Sequence, residues 1–319
     1  MYTDIVGCTK KYDIILLDSD SMMSVFLHME LINKARYIIL LTPYFNYKGD
    51  SCLGFKNLFE SLGMKCTYYK RLSVIMWVLE PGELRVCSSS YMYVVMHKPY
   101  NVKKDDIYIP ICVGDNYNNP EYINDSTGDN IAYLNNKINE CTAIYWVWKN
   151  TRTKYVGISH YRRYMLNNNQ KYVENILDNE NVVEKLKNVD ILLCEHITFN
   201  STLEEQIKNS IQPEAYDCGY NKVREALIKA HPEDVNVFDY VMGLHYFYPC
   251  NMFATTWSVF DEYCQWLFSF IIPAACNIDV SGYNAYSKRV IGFFAERMMT
   301  VWVIKKKFKV EELPYITVE

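Results

Sequence analysis

Short apolar runs alternate with longer amphipathic stretches along most of this chain, and few folds accommodate that alternation. Short apolar runs bounded by polar punctuation suit buried strands, and apolar residues recurring every three or four positions suit helices. Strand-like segments are 13–17, 37–41, 91–95, 107–113, 155–159, 190–194 and 252–255. Helix-like segments are 21–35, 55–62, 130–149, 203–210, 222–230, 258–268 and 290–299. Strands separated by helices pair through crossovers, which predicts an α/β fold with a mainly parallel sheet covered on both faces. The pattern restarts near residue 88, so a small Rossmann-like α/β unit is expected over 1–88 and a larger domain over 89–319. The first strand-to-helix turn, Asp18-Ser19-Asp20-Ser21, lacks the glycines that let a backbone approach a pyrophosphate. Its Asp-x-Asp looks like a metal motif, but an N-cap for the following helix is the simpler reading.

Composition removes several classes. At 319 residues with half of them apolar, 28 Tyr and a net charge of −4, the chain is neither disordered nor broadly basic. It lacks the extended basic face that a nucleic-acid partner needs. The longest apolar stretches, 72–79 and 266–276, are too short to span a bilayer. The N-terminal residues lack the three-part layout of a secretory signal, so a cytoplasmic protein is expected. Eleven scattered cysteines without zinc spacing read as reduced, buried thiols. One local basic run, Lys305-Lys306-Lys307-Phe308-Lys309, reads either as a solvated helix end or as a peripheral contact with anionic lipid.

The densest unusual segment is DSTGDNI at 125–131, ECTAIYWVWKN at 140–150 and YVGISHYRRY at 155–164. Further blocks are IYIPICVG at 107–114, Asn251-Met252-Phe253, YCQWLF at 263–268 and RVIGFFAER at 289–297. Together these resemble the family known as domain of unknown function 4422, over about residues 92–304. Ala132 stands where the family has Ser, and Met165 where it has an aromatic. Little matches between 199 and 239, so acceptor specificity is not carried over. The resemblance implies a GT-A-like glycosyltransferase of capsule, O-antigen or exopolysaccharide synthesis. It also implies a nucleotide-sugar donor, with galactose or galactofuranose favoured, and a saccharide or lipid-linked saccharide acceptor. A non-catalytic carbohydrate-binding or assembly protein that keeps the fold is the alternative.

The residues themselves suggest how such chemistry would run. A departing nucleoside diphosphate needs its developing charge stabilised. Many GT-A enzymes use a divalent Mn or Mg held by Asp-x-Asp after a strand. Here the strand ends in His160-Tyr161-Arg162-Arg163, whose guanidinium forks suit phosphate, with His160 as a further donor or a metal ligand. The other reading pairs one arginine with a core carboxylate and leaves the other solvated. Asp125, Asp129 and Asn130 lie in a polar loop entering a helix, where they cap backbone donors or bind ribose and sugar hydroxyls. Glu296, on an apolar helix beside Arg289 and Arg297, is either a catalytic base or the partner of an arginine. Asp239 is the second candidate base. Asn251, ahead of a strand, is placed with Arg289 among the donor-binding residues. Trp146 and Trp148 read as core.

Overall fold

The computed structural model describes residues 12–18, 35–43, 52–61, 64–71, 73–81, 90–99, 107–114 and 117–318. The helix expected at 21–35 lies outside the described residues up to 34, while Ala35 opens a strand, and the Ser19 to Ser21 turn lies outside them as well. The first unit comprises β1 (Tyr12–Asp18), β2 (Ala35–Pro43), α1 (Cys52–Ser61), β3 (Met64–Arg71) and β4 (Val74–Pro81). Its sheet order is β1-β2-β4-β3. The β1–β2 pair is parallel, as a crossover requires, whereas β4 runs antiparallel to both β2 and β3. The β3–β4 pair is absent from the expected strands: apolar and polar residues alternate in β3 only over Met64-Lys65-Cys66-Thr67, and β4 overlaps the apolar stretch 72–79, which periodicity alone does not assign to a strand.

The larger sheet begins with β5 (Ser90–Met96), β6 (Tyr108–Cys112) and β7 (Ile123–Asn124). After it come α2 (Asn135–Ile138), α3 (Cys141–Asn150), β8 (Tyr155–His160), β9 (Arg163–Met165), α4 (Asn179–Lys185), β10 (Ile191–Cys194) and β11 (Ile197–Thr198). The chain continues through α5 (Leu203–Lys208), α6 (Pro213–Ala230), α7 (Val235–Met242), β12 (Tyr246–Phe247), β13 (Phe253–Thr256) and α8 (Trp257–Cys276). It ends in α9 (Val290–Lys306), β14 (Val310–Leu313) and β15 (Tyr315–Thr317).

The main path through this sheet is β14-β10-β13-β8-β5-β6-β7. Six of these strands point one way, since β5, β6, β7 and β8 are mutually parallel and β10 is parallel to β14. Only β13 runs against them, between β10 and β8. The expected α/β fold with a mainly parallel sheet is therefore present. Burial on both faces is legible in β5: Tyr91, Tyr93 and Val95 belong to one apolar core, and Met92, Val94 and Met96 to the other. Alternation of side chains across a strand makes this possible, and it explains why β5 reads as an unbroken apolar run.

The two sheets share a core. Phe55 of α1 lies 5.7 Å from Trp146 of α3, ring centre to ring centre, and 5.9 Å from Trp77 of β4. Asn57 Nδ2 donates to the Glu121 carbonyl at 2.8 Å. Gly54 packs so close to the Tyr122 carbonyl that a Cβ there would sit 2.3 Å from its oxygen. Among the described residues, no helix is long and apolar enough to cross a membrane. The nine described cysteines are all free, and six are buried.

The helix expected over 130–149 is broken. Asn139 adopts φ 51°, which ends α2, and α3 restarts at Cys141. The break is held by Asn135, whose Nδ2 donates to the Asn139 carbonyl at 3.0 Å and to Thr142 Oγ1 at 2.9 Å. Helix periodicity continues across the break, so the sequence does not reveal it. Its effect is to turn Glu140 inward, toward Asn251.

Candidate active site

In an open parallel sheet, ligands gather beyond the carboxyl ends of the strands, where crossovers leave a crevice. At that edge β5 is followed by His97, β7 by Asp125, and β8 ends in His160. A two-residue turn, Tyr161-Arg162, joins β8 to β9. This turn is pinned on both sides: Tyr161 N donates to the Val95 carbonyl at 3.1 Å, and Val318 N to the Arg162 carbonyl at 2.8 Å. Ser159 Oγ donates to the Arg163 carbonyl at 2.7 Å.

The pinned turn concentrates positive charge. The His97 and His160 rings lie 6.1 Å apart, and the Tyr161 ring is flanked by Lys98 Nζ at 5.5 Å and Arg162 Cζ at 5.7 Å. Burial, then the neighbouring Arg163, His97, Arg162 and Lys98, push the His160 imidazole down to about 3. The same causes, burial first and then Lys98, Arg289 and Arg162, lower His97. Each depressed pKa reflects burial first and, after it, the charge of the neighbouring cations. Among the described residues neither Arg162 nor Arg163 has a carboxylate partner, and Arg162 Nε and His160 Nδ1 are buried without a hydrogen bond. A cluster of this kind is complementary to a polyanion.

Divalent Mn or Mg suits it poorly. Such ions need carboxylate or carbonyl oxygens, and His160 is ringed by cations. Among the described residues, the one grouping of three suitable ligands is His231, Glu233 and Asp234. There Asp234 Oδ2 already accepts from Trp266 Nε1 at 2.8 Å and Lys305 Nζ at 2.5 Å.

An acidic group lies beside the cluster. Just ahead of β13, which pairs with β8 through Phe253 and Ile158, Cys250 lies within electrostatic reach of Glu296, Arg163, Glu140 and Arg162. Asn251 Nδ2 donates to Glu140 Oε1 at 2.8 Å, and Cys250 N donates to Glu296 Oε1 at 2.7 Å. Glu296 Oε2 accepts from Arg297 Nη1 at 2.7 Å. Arg297 is buried, with its guanidinium carbon 4.1 Å from the Phe247 ring centre. Burial, then the charge of Glu296, raise Glu140 to about 7. Cys250 and Asn251 both occupy the left-handed region, at φ 66° and 50°. Two consecutive non-glycine residues there are costly, and such strain gathers at functional sites.

The remaining expected residues divide between this edge and elsewhere. Asp125 is fully buried and its Oδ2 accepts from Thr142 Oγ1 at 2.5 Å, which ties β7 to α3. Asp129 is exposed and accepts from the Tyr145 hydroxyl at 3.2 Å. Asn130 shapes its own loop, donating to the Ser126 and Gly128 carbonyls and accepting from Ala132 N. Arg289 Nε donates to Asn139 Oδ1 at 2.7 Å, which carries its charge toward His97 and Glu140. Asp239 is not brought to this group: it is exposed on α7 and paired with Arg224 of α6 at 2.8 Å. Trp146 is core, while Trp148 Nε1 donates to Asp261.

The lysine run lies at the opposite edge of the sheet, ahead of β14. Lys305 is bound to Asp234, Lys306 to Glu262, and Lys309 N donates to Asp190. Sequence reading overlooked His97 and Glu140 as site residues. His97 has the same signal as His160, a histidine just past a buried strand. Glu140 had no signal beyond its place in the motif, because only the broken helix turns it inward.

The model of the family described as domain of unknown function DUF4422 matches residues 91–307. A solved structure, the apo form of the bifunctional glycosyltransferase WbbM, is similar at 28% identity and a TM-score of 0.64. The similarity covers 72% of this chain but 45% of that one, so this chain spans less than half of its length. No curated protein matches the chain.

Proposed function

This chain belongs to the DUF4422 family, and on that premise we propose that it is a glycosyltransferase using a nucleotide-sugar donor. The observation that carries the reading is the pair of cations Arg162 and Arg163 beside His97 and the neutral His160 at the carboxyl edge of the sheet, the arginines without carboxylate partners among the described residues. Similarity to a glycosyltransferase over most of this chain supports the same reading. The arginines and His160 bind the diphosphate of the donor and stabilise the charge that develops as it leaves, the role a metal plays elsewhere. The neutral His160 imidazole serves as a hydrogen-bond donor, and Arg289 adds charge from the side of α9.

Asn251, Glu140 and Glu296 face the sugar, while Asp125, Asp129 and Asn130 build the loop beyond β7. A hexose is the transferred group, with UDP-galactose or UDP-galactofuranose as donor and a surface saccharide, free or lipid-linked, as acceptor. Incubating the purified protein with a panel of UDP-hexoses tests this reading. Slow donor hydrolysis and a donor-specific thermal shift without added metal are expected. No response to any donor, with or without manganese, would favour a carbohydrate-binding protein that has kept the fold.

A further inference from the structure

The two carboxylates beside the arginine cluster differ in what already occupies them. Glu296 uses one oxygen to accept from Cys250 N and the other to accept from Arg297 Nη1, each at 2.7 Å. It is committed to holding the strained Cys250–Asn251 turn. Glu140 has no cation bonded to it among the described residues and is held by neutral donors, its own backbone N–H and Asn251 Nδ2, the latter at 2.8 Å. Asn251 is itself 1% exposed, and its Oδ1 has no partner. A buried, orphaned amide oxygen is expensive unless a ligand hydroxyl completes it. Glu140 is partly buried and keeps some surface open.

Resting on the transferase reading above, we propose that Glu140 is the general base that takes the acceptor's proton, with Asn251 and Glu296 as positioning residues. The acceptor hydroxyl oxygen attacks the anomeric carbon of the donor and forms the new C–O bond. The bond from that carbon to the phosphate oxygen breaks, and its electron pair leaves on the nucleoside diphosphate held by Arg162, Arg163 and His160. The hydroxyl proton passes to the Glu140 carboxylate. Asn251 Oδ1 accepts from a second sugar hydroxyl and orients it. A single displacement of this kind inverts the anomeric configuration.

Burial and Glu296 raise Glu140 to about 7, close to where a general base works best. The titratable and charged groups facing it are Glu296, Arg297 and Arg289 on the α9 side, Cys141 of α3, Cys250 and Tyr263 of α8. His160 is depressed to about 3, so a titration near neutrality is not its own.

The test follows hydrolysis of UDP-galactose by the full chain, with water as acceptor and no metal added. Glu140→Gln should lower kcat on the order of 100-fold and leave the Kd for UDP within about twofold. The wild-type rate should rise with pH through about 7, and the variant should lose that rise. Formate should restore turnover to Glu140→Ala, an effect that a purely structural role would not produce. Asn251→Ala should lower kcat more than it changes KM. A Glu140→Gln variant within about threefold of wild type overturns the assignment. Should neither Glu140 variant fold, early-time proton NMR of the wild-type product decides, since retained anomeric configuration overturns it as well. A wild-type protein that turns over no nucleotide sugar sinks the transferase reading and this assignment together, an outcome separable from active wild type with an active Glu140→Gln.

Discussion

At the scale of single residues, the site is organised by what each charge has for company. Arg162 and Arg163 share a turn with a histidine that burial, and after it the neighbouring cations, keeps neutral, so the cluster gains most when an anion arrives. Replacing Arg163 or Arg162 by Ala should weaken UDP binding about tenfold, roughly 1.4 kcal/mol, with a shallower salt dependence than wild type. Titration calorimetry at two ionic strengths would measure it, and unchanged affinity in both variants would remove the arginines from the phosphate site. Glu140 makes a separate prediction about stability. Its folded pKa of about 7 lies above its ordinary value of 4.5, so the unfolded chain releases that proton first. Its contribution is therefore fully favourable below about pH 4.5 and is lost as pH rises through about 7. Glu140→Gln should accordingly be more stable than wild type at pH 8, by at most about 3 kcal/mol, and not at pH 4.5. Thermal melts at the two pH values would check the sign.

At the scale of elements, the site depends on how closely neighbouring strands and helices approach. Gly157 in β8 has no room for a side chain, because a Cβ would lie 2.2 Å from Met92 Sδ and 2.7 Å from the Phe253 carbonyl oxygen. The carbonyl belongs to β13 and cannot move without shifting the Cys250–Asn251 turn. Gly157→Ala should therefore destabilise the protein by about 1–3 kcal/mol and impair turnover together, seen as a lower Tm and a lower kcat. Gly292 in α9 has a similar reason: a Cβ there would sit 2.4 Å from Asn139 Nδ2, at the break that directs Glu140. The pair Cys250 and Asn251 holds its left-handed conformation only because Glu296 and Glu140 bind it from two different helical segments.

At the scale of the whole molecule, the first unit completes a shared core. Phe55 packs on Trp146, which is fully buried, and α1 also covers the β7 end of the larger sheet. A chain starting at Ser88 should therefore expose Trp146, bind a hydrophobic dye and melt well below the full protein; an unchanged Tm would show that 89–319 stands alone. The sequence by itself determined the strand-and-helix alternation, the burial of β5 on both faces, the family and the histidine–arginine turn at the end of β8. Each of these is written in a local period or a contiguous motif, so neighbouring residues suffice to read it. Only the tertiary structure decided that Asp239 belongs to a surface ion pair, that Glu296 holds a backbone turn, and that Glu140 faces Asn251. Those outcomes depend on contacts between residues 15, 46 and 111 positions apart. Which of several carboxylates is left without a cation is settled by packing, because the arginine that claims one of them comes from wherever the fold brings it.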